Sequence, residues 1–371
     1  METIDLSNMT LDLSGDRSFD ASDVRGALDY LKAIRDQSMD YVVRGKNITI
    51  QEVDNNNWQL WANTPDGVKV FKPTSYAATQ TIQKTPLPKK YHDTLVAHGH
   101  INHAVADLNL WLHEDEAQRI RTVGPNYRAL VSPGYGAFDN FDIFASAAGV
   151  IKATNLMRDQ ETKPAQFYRA DISEEHMYLN IIDFGRQFDI GKGDMHYPLI
   201  TVKNSEVGAG AFQVDAGFFR HMCQNRMLQG VVSRRIHRAE KLDEGSYSAD
   251  TIQTQQALVI KIVRDKMGQA FTTDQFFDDL ARSLKEAKEL KLTSPMDAVE
   301  KVAGILKLSE DEETEIINAM MGDRPLMPGD QGTAFALING ITLVEKTRGI
   351  ERGMELVSGA GQVKQIMKAL A

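Results

Sequence analysis

The chain has 371 residues, 42% of them hydrophobic and 25% charged, with a formal net charge of -9. That length supports a sizeable core in one or two packed units, and the composition argues against a mainly disordered chain, while the negative balance argues against a protein that coats duplex DNA through its overall field. A lone cysteine, Cys223, excludes an intrachain disulfide and any multi-cysteine zinc site. The opening residues lack the basic flank and apolar run of a signal peptide, and no stretch approaches about 18 continuous apolar residues, so a cytoplasmic protein without membrane contact is expected.

In chain order, residues 1–20 are polar and acidic and are expected as a loose arm. Val24, Leu28, Leu31 and Ile34 then recur at helical spacing. The period changes at Ile48, Ile50 and Val53, continues through Trp58, Leu60 and Trp61, and turns at Pro65-Asp66-Gly67 into Val68–Phe71, which predicts a small antiparallel meander. From Tyr76 to Leu112 the pattern is helical, broken at Pro86 and Pro88. Arg119–Thr122 and Tyr127–Val131 are predicted as strands, 140–155 as a helix, and 166–171, 176–183 and 198–203 as strands of a central antiparallel sheet. Beyond Ser248 the chain stays helical, with stripes at Phe277, Leu280, Leu284 and at Leu337, Ile341, Val344. Thr272 with Gln275 and Ser309 with Glu312 have capping-box spacing, and Ser294-Pro295 sets a cap before a first-turn proline. The expected class is α+β: an antiparallel sheet with covering helices over 21–248, followed by a helical C-terminal region over 249–371.

Four segments carry a resemblance. They are Tyr76–Gln80 through Pro88–Tyr91, then Leu108–Leu112, then Tyr127–Ser132 through Tyr135 and Asp139-Asn140, and finally Val202–Glu206 through Phe219–Cys223. In order and spacing they resemble an uncharacterised family of phage- and plasmid-encoded proteins, the domain of unknown function numbered 932, with a weaker echo at 332–339. The resemblance implies a phage, prophage or plasmid setting and brings no reaction with it. Its motif residues here are Asn204, Ser205, Glu206, Cys223 and Asn225. Where the family pattern has Cys followed by Asn-Gly, this chain has Cys223-Gln224-Asn225-Arg226, which puts a glycine turn at that point in doubt.

The densest basic run follows. Arg220, Arg226, Arg234, Arg235, Arg238 and Lys241, with His221 and His237, face the single acid Glu240. In a strand, Arg234 and Arg238 share one face and Arg235 the other, which suits an exposed ribbon whose guanidinium forks hold phosphates while Phe219 stacks on a base. The competing reading is a solvated edge strand that uses charge to block aggregation, with the phenylalanines in the core. The leading functional expectation is a mobile-element protein that binds single-stranded DNA or RNA and, as a homo-oligomer, assists annealing or recombination.

Two alternatives stay open. One is a metal-dependent enzyme acting on nucleic acid or nucleotides through Asp183, Asp189, Asp194, Glu206 and Asp215, or through His92, His98, His100 and His103. The other is a host-directed interaction module using the acidic ends and the helical C-terminus. No complete catalytic motif is present: the carboxylate spacing fits no nuclease pattern, Cys223 lacks a third triad partner, and Gly191-Lys192-Gly193 lacks the length of a phosphate-binding loop. No cofactor and no metal ligand are assigned from the sequence.

Overall fold

In the computed structural model, which describes residues 11–54, 57–112, 116–136, 138–235, 249–272, 274–322 and 330–370, the acidic start of the chain is partly ordered into a strand. Arg17–Asp20, expected within the loose arm, form β1, and Asp20 and Asp23 then accept from the backbone N–H groups of Ser22 and Gly26 at the entry to α1 (Val24–Gln37). The expected stripe directs Leu31 and Ile34 into the core.

Next come β2 (Ser38–Arg44), β3 (Ile48–Asp54), β4 (Asn57–Thr64) and β5 (Gly67–Pro73), the last three forming the predicted meander. Helices α2 (Ser75–Gln83), α3 (Lys89–Ala97) and α4 (Ile101–Leu112) follow, with Thr74 capping α2 and Pro88 preceding the first residue of α3. Strands β6 (Ala117–Val123) and β7 (Asn126–Val131) return to the meander and complete a six-stranded sheet of order β2-β6-β7-β5-β4-β3, in which β5 and β7 run parallel. Its core holds Ile48, Leu60, Phe71, Ile120 and Tyr127 under Ile101 and Leu108 of α4.

Helix α5 (Asn140–Leu156) leads to the second sheet. Its strands are β8 (Ala165–Ile172), β9 (Met177–Asp183), β10 (Phe188–Asp189), β11 (Met195–Asn204), β12 (Phe212–Arg220) and β13 (Asn225–Arg235), in the order β1-β8-β9-β11-β12-β13 with β10 beside β11. The expected meander and central sheet thus belong to two separate sheets. The aromatic stretch before Arg220 is a strand, with Phe212, Val214, Ala216 and Phe218 all buried. Gly217 disguises it: a Cβ there would lie 1.7 Å from the Met227 carbonyl oxygen, because a bulge brings the two backbones together.

All seven residues of β9 are buried, so this sheet is covered on both faces. One face packs Leu179, Ile181, Ile200 and Val202 against α1, α5 and α6 (Ala249–Thr272). The other packs Tyr178, Leu199, Phe219 and Leu228 under Met354 and Val357 of a later helix. Thr272 ends α6 with its hydroxyl bonded back to Gln269, rather than capping the next helix as its spacing suggests.

The remaining helices are α7 (Asp274–Glu289), α8 (Pro295–Leu306), α9 (Glu310–Met321), α10 (Ala334–Val344), α11 (Ile350–Ala360) and α12 (Val363–Leu370). Ser294 caps α8 with Pro295 in its first turn, and Ser309 and Glu312 form the expected capping box. Hydrogen bonding from Arg352 outweighs burial and holds the Glu312 carboxyl at about 2, so this tie between α9 and α11 persists at neutral pH. Helix α10 is buried on nearly its whole circumference, and Leu337, Ile338 and Ile341 share a core with Ala216, Phe218 and Met227 of the sheet. The architecture is α+β, and among the described residues no helix is long and apolar enough to cross a membrane.

The β12–β13 connection keeps a left-handed residue without a glycine: Gln224 has φ +55. Its Cβ clash with the following carbonyl predicts that Gln224→Gly raises stability by about 1 kcal/mol, seen as a higher urea midpoint at an unchanged slope.

Candidate functional site

The first half of the basic run faces inward. Arg220 is 3% exposed and grips Asp194 with two bonds, Nε to Oδ1 at 2.8 Å and Nη2 to Oδ2 at 3.0 Å, while Nη1 donates to Asn339 Oδ1 at 3.0 Å. Lys288 of α7 donates to the same Asp194 and also pairs with Asp330. Arg226 is equally buried and joins Asp171, at 2.8 Å, to Glu345. Phe219 is buried beside Tyr168 and Phe184. The expected phosphate contacts at Arg220 and Arg226 and the stacking face at Phe219 are thus corrected, because β12 and the start of β13 lie beneath α10 and α11, where a charge must find its partner inside.

The second half of the run differs. Arg234 and Arg235 end β13, the terminal strand of its sheet, opposite Gln213 and Phe212 of β12. Arg238 and Lys241 lie outside the described residues.

Asn204, Ser205 and Glu206, at the end of β11, act as a clasp between the two sheets. Asn204 donates to the carbonyl of Phe138 at 2.8 Å and to Asn140 Oδ1 at 2.7 Å. Ser205 Oγ accepts from the backbone N–H of Ala209 at 3.0 Å, and its carbonyl accepts from the Tyr135 hydroxyl. Glu206 accepts from Arg128 Nη1 at 2.7 Å and from the backbone N–H of Asn140, at the start of α5, at 2.7 Å; its carbonyl accepts from Arg121. Burial opposes its charge, yet Arg128 and Arg121 prevail and keep its pKa below the ordinary value. Burial and then the Glu206 charge push Asp139, the residue before α5, up to about 6. Asn225 donates to Asn339 Oδ1 at 2.9 Å and to Thr342 at 2.7 Å, and the half-buried Cys223 thiol lies 3.7 Å from Asn339 Oδ1. These are packing roles.

The carboxylates singled out in the sequence do not converge. Asp183 pairs with Arg158 and Arg186, Asp194 with Arg220 and Lys288, Glu206 with Arg128, and Asp189 accepts from Gly191 N–H. Asp215 alone of the five keeps a buried oxygen, Oδ1, without a hydrogen bond, and burial pushes its carboxyl up to about 6 against the pull of Lys203. His92 is buried on α3, whereas His98, His100 and His103 are exposed. Among the described residues, the group able to converge on one ion is Glu175, His176 and Glu351, none of which the sequence pattern singled out.

This group joins the β8–β9 turn to the first turn of α11. Glu351 Oε2 accepts from Tyr178 at 2.8 Å and faces His176 Nδ1 at 2.9 Å, while Oε1 accepts from Ser173 at 2.5 Å. Burial opposes ionisation of Glu351, but its three partners outweigh it and hold the carboxyl at about 2. Sequence distance hid the site: His176 and Glu351 stand 175 positions apart, and no motif spacing connects them. A cavity of about 570 Å³ opens beside it, lined by Asp16, Tyr76, Thr79, Glu174, Glu175 and Glu351 among others.

No family model, no curated protein and no solved structure matches the chain.

Replacing Arg226 with alanine leaves Asp171 and Glu345 buried without their shared cation, so a loss of about 3 kcal/mol is expected in denaturant unfolding. For Asp215, the raised pKa means that the folded state binds more protons than the unfolded state between about 4 and 6, so this group lowers stability as pH rises through that window. Asp215→Asn is accordingly expected to stabilise the protein at pH 7.5 by on the order of 1 kcal/mol, with the gain fading by pH 4 in thermal unfolding across a pH series.

Proposed function

We propose that the protein binds single-stranded nucleic acid through the far end of β13 and the segment after it, with Arg234, Arg235, Arg238 and Lys241 as phosphate contacts. The observation that carries this reading is the division of the basic run. Arg220 and Arg226 are neutralised by Asp194, Asp171 and Glu345, whereas residues 234–241 hold four Lys and Arg against the single acid Glu240 and begin on a terminal strand. Arginine forks match phosphate oxygens, and a local basic segment on a chain of net charge -9 favours a short, flexible strand over a long duplex tract.

With Phe219 inside the core, binding rests on phosphates, so little sequence preference follows. The family resemblance supports a phage, prophage or plasmid setting, in which a homo-oligomer would assist annealing or recombination.

Fluorescence anisotropy with labelled single-stranded and double-stranded DNA and RNA across a salt series tests the reading. Binding to single strands is expected to weaken steeply with salt. The combined variant Arg234→Ala, Arg235→Ala, Arg238→Ala is expected to lower the logarithmic salt slope by roughly 2, at about 0.7 per phosphate contact on a single strand. Equal affinity and slope for variant and parent would falsify the assignment.

A further inference from the structure

Independently of the nucleic-acid reading, we propose that Glu175, His176 and Glu351 bind one divalent transition-metal ion of the manganese or zinc type. One ligand atom from each residue lies within 4.8 Å of the other two, a spread that a single ion can draw together.

The donor set is prepared for this. Ser173 and Tyr178 donate their hydroxyls to the two oxygens of Glu351, the outer-shell arrangement that fixes a ligating carboxylate. His176 is 6% exposed, and its Nδ1 faces Glu351 at 2.9 Å. Its Nε2 is buried without a hydrogen-bond partner, which leaves one ring nitrogen unsatisfied. Gly210 makes room for it, since a Cβ there would lie 2.7 Å from Nε2. The carboxylate of Glu175 faces that of Glu351, with the His176 and Lys203 charges acting on it from nearby. Two carboxylates beside an imidazole nitrogen supply two negative charges, which one divalent cation neutralises.

A second observation concerns access. The cavity beside the cluster is lined by Asp16, Glu174, Glu175 and Glu351, and no Lys or Arg is among its described lining residues. Such a mouth concentrates cations and leaves the open coordination positions facing solvent. The imidazole favours zinc over magnesium and calcium, while the two carboxylates also suit manganese.

The test uses the full chain, stripped with chelator and titrated with MnCl2 by electron paramagnetic resonance and with ZnCl2 by equilibrium dialysis, with MgCl2 for comparison. One equivalent of Mn²⁺ or Zn²⁺ is expected, with weaker binding of Mg²⁺. Glu175→Gln removes a ligand whose burial and Glu351 neighbour already disfavour its charge, so it is expected to weaken binding at least tenfold while the metal-free melting temperature does not fall. His176→Ala is expected to do the same to binding. Absence of binding by the parent at millimolar MnCl2 and ZnCl2 overturns the proposal, and so does one-equivalent binding that survives in Glu175→Gln, because the ion would then sit elsewhere, for instance on the exposed His98, His100 and His103.

Discussion

The constraint on which most of this structure depends is a seven-stranded antiparallel sheet covered on both faces. Where the sheet is covered, as along the whole of β9, a charged side chain has no water to face, and most such charges are paired by another element. Asp183 takes Arg158 and Arg186, Asp194 takes Arg220 and Lys288, and Arg226 takes Asp171 and Glu345. The basic run is divided by the same rule, since Arg220 and Arg226 lie beneath helices whereas Arg234 and Arg235 lie at the end of a terminal strand.

These pairs fix position more than they add net stability, because desolvating two charges offsets much of their attraction. What they contribute is registration between distant parts of the chain. Asp194 on the turn into β11 meets Lys288 of α7, and Arg226 of β13 meets Glu345 just after α10. The apolar contacts run the same way, with Ala216 and Phe218 of the sheet in one core with Leu337 and Ile341 of α10. The change near residue 248 from strands to helices is a change of element type, and the helices after it complete the sheet's covering.

Helix α11 illustrates how that covering also creates chemistry. Met354 and Val357 pack on Tyr178 and Leu199, and this docking sets Glu351, on the same helix, against Ser173, His176 and Tyr178. Apolar burial thus positions a carboxylate–imidazole cluster at a cavity of about 570 Å³. The Asn204–Glu206 clasp works similarly at the other sheet, where Glu206 serves Arg128 and the start of α5 together.

Local pattern alone determined a good deal here: the stripe of α1, the β3–β5 meander, the proline breaks before α3, the caps of α8 and α9, and the α+β class were legible, because each is encoded within a few neighbouring residues. The α6–α7 capping position and the strand character of β12 were not, since Thr272 bonds back within α6 and Gly217 answers to the Met227 backbone across a bulge. Only the tertiary structure decided that the meander and the central sheet are separate, that Phe219, Arg220 and Arg226 turn inward, and that His176 meets Glu351. Periodicity reports which way a residue points relative to its neighbours in sequence. Whether a basic residue ends in water or against an acid more than a hundred positions away depends on which distant segment covers it, as Glu345 covers Arg226.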